Sequence, residues 1–151
     1  MDKLESWLQR RGFDLELEDG GDDSVCFDTM NVLINSRLSP SSKLATLLHE
    51  CGHIAVFQQR LKDRRTRVAG STFHQFVRTS SIRDSRLTRR SRIDTVTEEI
   101  EAWDRGEAIA KRLKIRYNKK LFANIRTKSL MTYFRWTVRG SKVVVRQKRG
   151  R

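Results

Sequence analysis

The sequence predicts an α+β fold, a small antiparallel sheet packed on one long helix and followed by a helical C-terminal part. Three observations predict it. Residues 13–18 (FDLELE) alternate apolar and acidic side chains with the period of a strand. Ser39 and Pro40 join a hydroxyl able to cap a helix to the residue favoured at its first position. Beyond them, apolar residues three and four apart recur to about residue 61 and again over 94–113 and 119–136.

Taken in order, residues 2–11 place Leu4, Trp7 and Leu8 on one side of a short first helix. The 13–18 stretch reads as a half-buried strand, broken by the turn chemistry of DGGDD at 19–23. Strand-like stretches at 25–28 and 30–35 complete the sheet. The helix from 40 to about 61 carries Leu44, Leu47, Leu48, Cys51, Ile54, Ala55 and Phe57. That apolar surface is broad enough to set the helix deep in the fold. Residues 62–93 are polar and basic with little pattern, apart from STFHQFV at 71–77; long irregular segments are commonly functional or flexible. The next helix opens at Asp94 or Thr95, where TVTE at 95–98 fits a capping box, and ends near Leu113. A third long helix covers 119–136, and 143–151 read as a short strand with a basic tail.

A chain of 151 residues without repeats or a Gly/Ser/Pro-rich linker is expected to form a single domain, 1–151, with a basic helical extension from about 114. No apolar run approaches the roughly 20 residues that cross a bilayer, and no signal-peptide layout opens the chain. The expectation is a cytoplasmic protein. Cys26 and Cys51 are the only cysteines and form no CxxC pair, which excludes a cysteine-only zinc site. The net charge of +14 is uneven. Residues 1–60 hold 6 Lys/Arg against 10 Asp/Glu, whereas residues 61–151 hold 26 against 8. From 108 to 151 there are 15 basic residues and no acidic one, which points to a polyanion and most simply to nucleic acid.

The chemistry is carried by HECGH at 49–53. Residues four apart on a helix lie one above the other, so His49 and His53 can face one Zn2+. Glu50 is turned by about 100° and can stand beside the metal instead of binding it. A zinc ion lowers the pKa of its water to roughly 7, and Glu50 is the candidate general base for attack on a carbonyl. Gly52 allows another element to approach closely.

A catalytic zinc site needs a third protein ligand. On the 94–113 helix Ala102, Trp103, Gly106, Ile109, Ala110 and Leu113 form the apolar face, and Glu99 sits at its centre. Glu101 projects to the polar side, and Glu98 is assigned to the capping box. Glu99 is therefore the best third ligand, because a carboxylate on a buried face needs a metal or a partner. The bland alternative pairs it with an arginine of the basic segment. His74, the remaining histidine, is a rival ligand or a donor that stabilises the oxyanion. Tyr117 and Tyr133 suit that second task equally, and nothing in the sequence selects between them.

Three stretches together resemble the ImmA/IrrE group of small gluzincin-type metallopeptidases. They are VLINSRLSP at 32–40, LLHECGH at 47–53 (similar to the family's HELGH) and EIEAWDRG at 99–106 (similar to its E-x-E-A-N-x-F-A helix). Glu99 takes the family's first glutamate and Glu101 its second. Trp103 stands where the family has Asn, Arg105-Gly106 where it has Phe-Ala, and the following Leu-Met-Pro is absent. The resemblance implies a zincin-like fold and a protease cutting an intracellular protein, often a DNA-bound repressor, encoded by a phage or prophage. In proteases of this architecture an edge strand pairs with the extended substrate, and 30–35 is the candidate edge.

Two functions follow from the sequence. The first is a zinc endopeptidase acting on a protein or peptide, brought to its target by nucleic-acid affinity through the basic half. The second is a nucleic-acid-binding protein that keeps such a fold with a structural or vestigial metal. A SprT-like protease, a third option, usually carries a histidine in place of Glu99. Intact Glu50 favours the first, since a structural site has no use for it.

Overall fold

The computed structural model describes residues 2–62 and 89–139, with the backbone alone for 89–91 and 139. Helix α1 (Asp2–Gln9) buries Leu4, Trp7 and Leu8, the side predicted by their spacing. It is closed by Gly12, whose positive φ of 78° lets the amide of Phe13 return to the carbonyl of Leu8.

Three short strands follow, β1 (Asp14–Glu18), β2 (Ser24–Cys26) and β3 (Asn31–Asn35). The sheet is mixed, not antiparallel, in the order β1-β3-β2. β3 runs parallel to β1 and antiparallel to β2. The route of the chain explains the departure. Residues 19–23 cross to the far side of the β3 position, so that β2 and β3 make the hairpin and β3 returns beside β1 in the same direction. Two expectations change with it. The 30–35 stretch is the central strand, paired on both sides, and among the described residues the open edges belong to β1 and β2. Strand β1 is also barer than a half-buried strand, with Leu15 partly buried and Leu17 54% exposed.

Helix α2 (Pro40–Lys62) starts where Ser39 and Pro40 predict: the amide of Ser42 donates to Ser39 Oγ at 3.2 Å. Val32 and Ile34 of β3 are fully buried, and α2 packs on this strand. Every residue from Leu47 to Gly52 is buried, so α2 is covered on all sides through its middle two turns.

Helix α3 (Arg89–Arg112) begins at least five residues before the predicted start. The TVTE pattern lies inside it: Thr97 Oγ1 donates back to the carbonyl of Ile93 at 3.0 Å, and Glu98 is spent on an ion pair with Arg60 of α2. Lys114, at φ 51°, ends α3 in a Schellman arrangement in which the amide of Ile115 donates to the carbonyl of Ala110 at 2.9 Å. Asn118 then caps α4 (Lys119–Arg139) through the amide of Leu121. Phe122 and Trp136 of α4 are buried, and Phe122 belongs to the main core cluster with α1, β3, α2 and α3. The first part of the basic extension is thus integral to the core.

Helices α2 and α3 make the most extensive packing in the fold and run antiparallel, with Gly52 facing Ala102 and Gly106 facing Leu48. A Cβ at Gly52 would run into the carbonyl oxygen of Ala102, and one at Gly106 into that of Leu48. Paired glycines therefore let the two backbones touch, as the reading of Gly52 anticipated. That approach brings α3 within reach of the histidines on α2. The stretches 71–77 and 143–151 lie outside the described residues.

Candidate metal centre

His49 and His53 lie one turn apart on α2, and their Nε2 atoms are 3.2 Å from each other. Glu99 reaches both from α3: its Oε2 is 3.3 Å from His49 Nε2 and its Oε1 is 3.5 Å from His53 Nε2. Two donors about 2.0–2.1 Å from one zinc at a tetrahedral angle lie about 3.3–3.4 Å apart. The two imidazole nitrogens, and each of them with its nearer Glu99 oxygen, are separated by that value to within about 0.2 Å, the two carboxylate oxygens each facing a different histidine. The three residues form a group able to hold a metal ion, and they fit zinc in donor type as well.

The electrostatics suit the same purpose. The side chains of His49 and His53 are one-tenth exposed and that of Glu99 3%. Burial lowers the imidazoles to about 3 and about 4, so both are neutral at neutral pH and keep a lone pair for a metal. Burial also raises Glu99, an effect opposed by His53 and by a hydrogen bond from the Tyr133 phenol. Oε2 of Glu99 and Nδ1 of His49 are buried with no hydrogen-bond partner among the described residues. A buried carboxylate oxygen of this kind is chemically suited to a cation.

Glu50 is buried beside the cluster, pushed well above the carboxylate range by burial, then by Glu99 and Asp23. Asp23 precedes β2 and accepts from the amide of Asn35 at 2.7 Å, which holds this carboxylate near enough to Glu50 to raise it. Glu101 is turned outward, as the helix wheel indicated, to Arg105 and Arg60. Glu98 is buried against Arg60 and serves no cap. His74 lies outside the described residues.

The structure separates the two tyrosines that the sequence left equal. Tyr117 donates to Glu107 at 3.1 Å. Tyr133 faces Glu99, with Glu50 and Glu98 near enough to raise its phenol further after burial. A wheel of α4 would have turned Tyr133 inward, because Phe122, Ile125, Tyr133 and Trp136 share one helical side, but it does not name the partner. Trp103, read from the sequence as part of the apolar face of this helix and as a departure from a family pattern, stacks on His49 with ring centroids 4.1 Å apart. No protein-family model matches the chain, and no match to it was found among curated proteins or solved structures.

Proposed function

We propose that this chain is a zinc-dependent endopeptidase, and the observation that carries the reading is the convergence of His49, His53 and Glu99 with Glu50 buried alongside. The resemblance of the motifs to the ImmA/IrrE group supports it. His49, His53 and Glu99 would hold the ion, and zinc bound there supplies a Lewis acid that polarises a carbonyl and makes water acidic enough to ionise near pH 7. The remaining chemistry belongs to the chain. Glu50, whose basicity is raised by burial, takes the proton of the attacking water and hands it to the leaving amine. The Tyr133 phenol donates a hydrogen bond to the carbonyl oxygen as negative charge builds on it. The substrate backbone aligns along β2, the open edge that packs against α2.

The test is hydrolysis of a peptide library by the purified chain. Cleavage is expected to stop on treatment with 1,10-phenanthroline and to return with added zinc. Cleavage that survives chelation contradicts the reading.

A nucleic-acid partner is favoured by the outer side of α4. Lys119, Lys120, Lys128 and Arg135 are exposed there, Phe134 is 44% exposed, and the helix has no acidic residue. Phosphate contacts would make log K fall with log salt by about 0.7–0.9 per phosphate, and the exposed phenylalanine offers a face for an unpaired base. Filter binding to single-stranded DNA across a salt series is expected to show that fall. Salt-independent binding removes nucleic acid as a partner. No helix among the described residues is long and apolar enough to cross a membrane.

A further inference from the structure

A histidine that binds a metal through one ring nitrogen is ordinarily oriented by a hydrogen bond at the other. His49 departs from this, since its Nδ1 is buried and without a hydrogen-bond partner among the described residues. What holds the ring instead is the indole of Trp103. The two rings stack with an interplanar angle of 16° and centroids 4.1 Å apart, and Trp103 is 1% exposed.

The indole is itself fixed. Phe122 of α4 meets it edge to face at 5.0 Å and 79°, and Tyr117 meets Phe122 in turn at 5.3 Å. Gly52 and Gly106, whose backbones meet Ala102 and Leu48 next to the two ring residues, hold α2 and α3 close together at the level of the stack. Glu99 and Trp103 are also one turn apart on α3, as His49 and His53 are on α2. A single face of α3 therefore delivers both a carboxylate to the metal and a plate to the ligand ring.

We propose that Trp103 is a positioning residue for the metal centre, its stacked indole aiming His49 Nε2 at the point shared with His53 and Glu99. The inference rests on the metal-centre reading above. Its physical basis is twofold. The stack restricts rotation of the imidazole, so less freedom is lost when the metal binds. An imidazole that donates to a cation also becomes electron-poor, and the negative face of an indole attracts such a ring more strongly than the free one. Phenylalanine keeps a flat π face at this position, whereas leucine fills space without one.

The experiment measures zinc affinity by competition with a chromophoric chelator, and the visible spectrum of the cobalt form, for the wild type, Trp103→Phe and Trp103→Leu. Trp103→Leu is expected to weaken zinc binding about 10- to 100-fold and alter the cobalt bands, while Trp103→Phe stays within about threefold with an unchanged spectrum. Trp103→Met, a flexible apolar filler, replaces the leucine variant should the latter not fold. Leucine or methionine variants that unfold more easily yet bind zinc as tightly, with the wild-type cobalt spectrum, overturn the positioning role and leave the metal centre standing. A wild-type chain that takes up neither ion overturns both.

Discussion

Glu50→Gln is expected to lower peptide-bond hydrolysis by about a hundred- to ten-thousand-fold while the chain keeps its fold and its zinc. The amide preserves the shape of the side chain and cannot accept the proton of water. The loss should fall on kcat with KM nearly unchanged, since an interaction made only in the transition state is removed. Metal-free stability should hold or rise, because Glu50 is 6% exposed and its charge is opposed by those of Glu99 and Asp23. Steady-state kinetics on a cleaved peptide, with metal content and thermal unfolding of the same samples, check all three. A variant that cleaves at the wild-type rate excludes Glu50 as the base, and one that loses zinc places it among the ligands.

Glu99→Leu is expected to move the metal-free and zinc-loaded proteins in opposite directions. Glu99 is 2% exposed, and burial disfavours its charge. Leucine of similar length removes that cost, so the metal-free variant should unfold at a temperature at or above that of the wild type. Zinc should then do nothing for it. At free zinc about 100 times Kd, the wild type gains about 2.7 kcal/mol, a rise of about 5–10 °C for a chain of this size. Scanning calorimetry with and without zinc distinguishes the cases. A variant whose midpoint still rises with zinc takes Glu99 out of the ligand set and returns the assignment to Glu101 or His74. A metal-free variant that is markedly less stable makes the Glu99 carboxylate a structural partner of Tyr133 and the imidazoles.

The sequence was most informative where one element decides the outcome. Ser39 and Pro40 mark the start of α2 because capping is a local matter. Helical period alone set Glu99 on the buried face and Glu101 outside it, since the wheel of α3 does not depend on what α3 packs against. Pairing between elements was less legible. Alternation in 13–18 and 30–35 says which side chains share a face and nothing about which strand lies beside which, so the parallel β1–β3 pair and the central place of β3 stayed hidden. The TVTE pattern misled because threonine and glutamate are also tolerated inside a helix, where Thr97 bonds back to Ile93 and Glu98 finds Arg60 thirty-eight positions away. Tyr133 and Trp103 act through contacts between helices, and single-helix patterns cannot pair them with Glu99 and His49.

The most direct test of the metal centre is the zinc content of the chain itself, by mass spectrometry of protein purified without chelators. The wild type is expected to hold about one zinc per chain and Glu99→Leu almost none, with both folded by circular dichroism. A folded wild-type chain that stays zinc-free, even after dialysis against the metal, would contradict the centre of His49, His53 and Glu99.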